Sequence, residues 1–275
     1  MIHGTQSIAM MNPLTEHMTH MRTDLLSGLL GVVDFNIKNG SPDLYLFEIG
    51  NVFIQEKKTL SGMKEIPLVC GLIHGNRVSL SAHENAKPVT VFSVMGHIDR
   101  LCHDVGAAAP TFEAVEREGY LKAFTVYEGK EEIGVLGTVD PVFIDDLGLE
   151  IDNEVHSFSL EIKKLIPLLT KQHKFTPINL YPIVERDVDF VFSEGVETGL
   201  VSNKILKQNY PNLTGVFPID IFRHKSLGSD HKSVTFHFRF QHPDKTLEDK
   251  EVSSVIYKIK RLVLSEFDAK LRSSN

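Results

Sequence analysis

Residues 231–241 constrain the fold more than any other stretch of the chain. Val234, Phe236, Phe238 and Phe240 alternate with Ser233, Thr235, His237, Arg239 and Gln241 without a slip, and side chains two apart share one face of a strand. Such a strand buries one face and leaves a polar row on the other. Pro243-Asp244 breaks it. Thr246 can then cap a helix, with Glu248, Asp249 and Glu251 in the first turn, where exposed N–H groups favour negative charge. Val252, Val255, Ile256, Ile259 and Val263 follow at spacings of three and four and make one apolar stripe. Strand and helix together predict a sheet covered on one side and open on the other.

The elements before this pair complete a pattern. Residues 187–192 and 216–223 read as strands, 198–209 as a helix between them, and 267–272 as a last short strand. The order β-α-β-β-α-β is that of a ferredoxin-like sandwich. Parity sends Val188, Phe190, Phe192, Ile219 and Ile221 to the helix side. The open side receives Asp187, Asp189, Asp220, Phe222, Ser233, Thr235, His237 and Arg239. A single aromatic among carboxylates, hydroxyls and an arginine suits a flipped-out base: Phe222 can stack on it while Asp220 and Ser233 bond its edge. Arg223, Lys225 and Lys232 stand at strand ends, where they can meet phosphates, and Arg272 lies near the chain end. A solvated face or a protein contact, as in a regulatory ferredoxin-like module, is the competing expectation.

The first part of the chain reads as an antiparallel α+β domain. Residues 21–35 form a helix with Thr23 as cap. Residues 44–49 and 52–54 form strands about a Gly50-Asn51 turn, and 66–74 is a strand nearly continuous in apolar residues, as in a sheet interior. Residues 90–105 are an amphipathic helix, 123–127 and 133–139 a hairpin, 141–147 a short helix started by Pro141, and 155–162 a strand. Polar residues 170–179 show no period, which puts a linker at 171–180 between domains 1–170 and 181–275.

Composition narrows the chemistry. With 24% charged and 42% hydrophobic residues the chain is an ordinary globular one, and no run is apolar enough to cross a membrane. No signal-peptide pattern follows Met1, and Cys70 and Cys102 lack disulfide or zinc spacing, so a reducing cytoplasm is expected. The net charge of −7 is the sum of −8 on the first 175 residues and +1 on the rest, which leaves the last hundred as the better partner for a polyanion. The 13 histidines form no metal-binding spacing. Neither a phosphate-binding glycine loop nor a nucleophile elbow occurs, so no catalytic residue and no metal ligand is expected.

Three passages carry a resemblance. The first is Asn12-Pro-Leu with Met21-Arg-Thr-Asp-Leu-Leu-Ser-Gly-Leu-Leu30 and Leu46-Phe-Glu-Ile-Gly-Asn-Val-Phe53. The second is Ile133-Gly-Val-Leu-Gly-Thr-Val-Asp-Pro141. The third is Tyr181-Pro-Ile-Val-Glu-Arg-Asp187 with the strand at 231–240, His242-Pro-Asp and Thr246-Leu-Glu-Asp-Lys-Glu-Val252. Together they resemble the β subunit of bacterial phenylalanine–tRNA ligase. The resemblance implies an inactive, class II synthetase-like antiparallel sheet domain followed by a ferredoxin-fold anticodon-binding domain, as a C-terminal fragment of a longer subunit. It implies tRNA(Phe) and the α subunit as partners, in a heterotetramer of two α and two β chains. Activation chemistry, with ATP and magnesium, would sit on the α chain and no cofactor on this fragment. The family's anticodon contacts fall on Asp220, Ser233 and Arg272, with Phe222 beside them.

Overall fold

Asp24 starts the first helix. Its Oδ1 accepts the backbone N–H and the hydroxyl of Ser27, both at 2.8 Å, and so satisfies groups that a helix start leaves free. Thr23, the expected cap, is instead buried. The computed structural model describes residues 7–13, 19–58, 60–78, 80–170, 178–224, 227–228 and 230–272. Two compact units divide the chain, Met1–Lys174 and Phe175–Asn275. The expected linker falls largely outside the described residues.

In the first unit, α1 (Leu26–Lys38) precedes β1 (Leu44–Gln55), β2 (Met63–His74), the short pair β3 (Asn76–Val78) and β4 (Lys87–Pro88), and α2 (Val91–Asp104). Then come β5 (Thr111–Val115), β6 (Tyr120–Glu128), β7 (Glu131–Val139), α3 (Pro141–Asp146), β8 (Val155–Glu161) and α4 (Ile162–Leu165), which runs into a 3-10 turn. Six strands form one sheet in the order β1-β2-β8-β7-β6-β5, and all neighbours are antiparallel. Leu26, Leu29, Leu30 and Val33 of α1 pack with Leu68, Cys70 and Leu72 on one face. Val94, Ile98 and Cys102 of α2 pack with Ile73, Leu136 and Leu160 on the other. β2 is thus covered on both sides, which is why its sequence is nearly continuous in apolar residues. Burial pushes the Cys70 thiol up to about 12, so it behaves as a small apolar side chain.

The turn expected at Gly50-Asn51 does not exist, because both residues lie inside the twelve-residue β1. Gly50 makes room for Arg22: a Cβ there would strike the guanidinium. That guanidinium donates from Nε to the Asn51 carbonyl at 2.8 Å and from Nη1 to Glu48 at 2.6 Å. A glycine inside a strand here marks close approach rather than a bend.

The second unit runs β9 (Val184–Ser193), α5 (Thr198–Leu206), β10 (Leu213–Phe222), β11 (His231–Phe240), α6 (Asp249–Glu266) and β12 (Lys270–Leu271). Its sheet has the order β10-β11-β9-β12 with antiparallel neighbours, the ferredoxin-like arrangement. Phe190, Phe192, Phe236, Phe238 and Phe240 are almost wholly buried, together with Val201 and Ile205 of α5 and Val252, Ile259 and Val263 of α6. Both helices pack on this one face. α6 is capped by reciprocity at Glu248, whose N–H donates to Glu251 at 3.0 Å, two residues later than the expected cap at Thr246. Among the described residues, no helix is long and apolar enough to cross a membrane.

Candidate nucleic-acid interface

The face of the second sheet that turns away from α5 and α6 is laid out in rows across the strands. Phe222, Ser233, Val191 and Lys270 form the first row, and Asp220, Thr235 and Asp189 the second, where the Arg272 N–H donates to the Asp189 carbonyl at 3.2 Å. Phe217, His237 and Asp187 form the third, and Gly215, Arg239 and Glu185 the fourth. Asp220, Phe222, Ser233 and Arg272 thus share one end of the face.

Their geometry suits an unpaired base. Phe222 is part-exposed at 37%, with the Arg272 guanidinium 4.9 Å from its ring centroid and the His224 ring stacked beside it at 5.8 Å and 18°. Ser233, cross-strand from Phe222, is 2% exposed, and its hydroxyl has no hydrogen-bond partner among the described residues. Leaving such a group unpaired costs about 1–3 kcal/mol, and a ligand edge would relieve it. Asp220 is exposed and can accept N–H donors. In the same row, the Thr235 hydroxyl donates to Asp189 at 2.6 Å. Deeper on the face, His237 donates from Nδ1 to Asp187 at 2.6 Å and lies 3.2 Å from Glu185. The Asp187 bond foremost, then Glu185, holds its pKa above the ordinary histidine value against partial desolvation.

Comparison with known proteins decides the family. Residues 3–162 match the family model described as the phenylalanyl tRNA synthetase beta chain CLM domain, and residues 179–272 match the ferredoxin-fold anticodon binding domain. The chain belongs to the phenylalanyl-tRNA synthetase beta chain family. It is 27% identical over 275 residues to the phenylalanine–tRNA ligase beta subunit of Thermotoga maritima, covering 97% of this chain and 33% of that one. To the same subunit of Dehalococcoides mccartyi it is 28% identical over 270 residues, covering 98% and 32%. The chain therefore spans about a third of the length of the curated relatives it matches. These relatives are subunits of an aminoacyl-tRNA ligase.

Not every expected contact of this synthetase-family chain faces solvent. Lys232 is 8% exposed, and its ammonium donates to the Glu194 carbonyl at 2.6 Å, so it is turned inward. Arg223 is exposed but forks onto the Glu194 carboxylate, with Nη2 at 2.7 Å and Nε at 3.0 Å. This pairing holds the Glu194 carboxyl below its ordinary range. Lys225 lies outside the described residues. Among those residues, no three His, Cys, Asp or Glu side chains cluster as a metal site.

Phe222 is not the only aromatic on the face. Pro218 pairs with Phe236 and Asp220 with Thr235, so β10 spends two steps against one of β11 and bulges at Ile219. The bulge reverses parity and brings Phe217 onto the open side opposite His237, where simple alternation from Asp220 and Phe222 would place Val216 and Pro218. Ile219, expected on the helix side, sits in the bulge and is 55% exposed. The available signal was Pro218 itself, since a proline within a strand marks an edge or a bulge.

Proposed function

We propose that the chain serves as the C-terminal part of a phenylalanine–tRNA ligase β subunit, with its second unit binding the anticodon of tRNA(Phe). The convergence of Phe222, Asp220, Ser233 and Arg272 at one end of the sheet face opposite α5 and α6 carries this reading. Phe222 offers a stacking surface, and Asp220 accepts N–H donors from a base such as guanine. The Ser233 hydroxyl supplies an unused bond, and Arg272 adds charge-assisted donors. Arg223, despite Glu194, still presents its outer nitrogen to a phosphate, with Lys225 as a second candidate; Lys232 acts from below by fixing the Glu194 backbone.

The first unit is assigned to assembly with the α subunit, within a tetramer of two α and two β chains. β1 is a sheet edge with Tyr45, Phe47 and Ile49 at 49%, 71% and 65% exposure, and α1 leaves Phe35 at 66%. A long apolar edge of this kind calls for a covering partner. β1 contains no arginine to hold a nucleotide phosphate, which fits a class II-like sheet that has given up activation. ATP and magnesium chemistry is placed on the α chain and the assembly in the cytoplasm.

The test is binding of a tRNA(Phe) anticodon stem-loop across a salt series. Asp220→Ala should weaken it by about 1–3 kcal/mol, with log K falling as log[salt] rises. Unchanged affinity in this variant, or binding without a salt slope as for a small metabolite, overturns the reading.

A further inference from the structure

Phe217 repeats the construction of Phe222. Both side chains stand on β10 and face the open side, and both carry an arginine over the ring: Arg272 at 4.9 Å and Arg239 at 5.3 Å. Phe217 is 44% exposed. Its ring rests against Gly215, where a Cβ would run into the ring atoms, and the Arg239 guanidinium lies over it. Arg239 spends Nε on Glu185 at 3.0 Å, which leaves the rest of its fork to meet a ligand. The third and fourth rows therefore hold a ring, a planar guanidinium and acceptors, the same set as the first two.

We infer that Phe217 and Arg239 form a second nucleobase platform on this face, for another base of the same single strand; this rests on the anticodon reading proposed above. Four residues of β11 separate Ser233, opposite Phe222, from His237, opposite Phe217, which is about 13 Å along the strand. Stacked neighbours rise only about 3.4 Å, so the two platforms take bases about two or three nucleotides apart on an unstacked strand. Asp189 lies on β9 between them, and Asp187 and Glu185 continue the row of carboxylates beside and beyond Phe217. Their charge keeps phosphates off the middle of the face, while base edges, which offer N–H donors, are accepted there. The strand thus runs with its backbone outward and its bases on the sheet.

The experiment walks 2-aminopurine through the loop of a tRNA(Phe) anticodon stem-loop and follows its fluorescence on titration with the whole chain. Two quenched positions, about two or three nucleotides apart, are expected. Phe217→Leu, which still covers Gly215 but cannot stack, should release quenching at one position only and weaken binding at least about fivefold. Phe217→Tyr should restore both. Phe222→Leu should release the other position. If Phe217→Leu lowers the melting temperature but leaves quenching and affinity intact while Phe222→Leu weakens binding, the second platform is refuted and the first stands. If no position is quenched and neither variant alters binding, the anticodon reading fails and this inference with it.

Discussion

Arg272 and Phe222 meet across the full width of the second sheet. The arginine follows β12 at one edge and the ring stands on β10 at the other, three strand spacings of about 4.8 Å away, yet the guanidinium lies 4.9 Å from the ring centroid. The stacking surface is thus already occupied by a planar cation, and an entering base must displace the guanidinium or be sandwiched by it. Arg272→Lys keeps the charge and loses the plane. It should weaken anticodon stem-loop binding by about 1 kcal/mol, near the value of an exposed cation–π contact, and Arg272→Ala should weaken it further. Full affinity for the lysine variant, measured at one fixed salt, would mean that charge alone matters.

What the sequence revealed and what it hid follow from one distinction. Regular repetition survives translation into structure. Phe236 and Phe238 are wholly buried and Arg239 exposed, because nothing interrupts the ladder of β11 against β9. The assignment of Asp220, Phe222 and Ser233 to one face came from the same rule. Alternation does not reach Phe217 because one extra residue at Ile219 shifts the count, and Gly50-Asn51 has the look of a turn because glycine serves bends and close approaches alike. Lys232 at a strand end suggests a phosphate contact only because alternation does not say where a four-carbon arm will end. Its side-chain nitrogen is drawn to the Glu194 carbonyl by a chain segment 38 residues away.

Gly50→Ala should destabilise the first unit by no more than about 1 kcal/mol, because what it displaces is the end of a half-exposed arginine and its surface ion pair. The added methyl evicts the Arg22 guanidinium from Asn51 and Glu48. Denaturant unfolding checks this, and a cycle with Arg22→Ala isolates the cause. With the guanidinium gone, the glycine substitution should cost little, and an unchanged cost would place the strain elsewhere.

The His237 cluster makes stability depend on pH in a definite direction. Its folded pKa is raised, first by Asp187 and then by Glu185, so the native state holds a proton that the unfolded chain gives up near 6.5. The contribution is complete below that value, above the carboxylate range, and is lost as pH rises through the raised folded value. Relative to wild type, His237→Gln should therefore cost more at pH 6 than at pH 9 when melting temperatures are compared. A constant difference across this window would show that the imidazole acts through packing alone.

Ser233→Ala separates stability from recognition. The hydroxyl is buried without a partner among the described residues, so removing it deletes a desolvated polar group and leaves the neighbouring strand bonds untouched. Replacing such a group by a methyl is neutral or favourable, because the penalty of about 1–3 kcal/mol for an unmade bond disappears with it. If the hydroxyl instead waits for a base edge, the same change should weaken anticodon stem-loop binding by about 1 kcal/mol. Melting temperature and affinity would then move in opposite directions, or the first would stay still while the second falls. A variant that melts lower and binds as well as wild type would show that Ser233 belongs to the packing of β11 and not to the ligand.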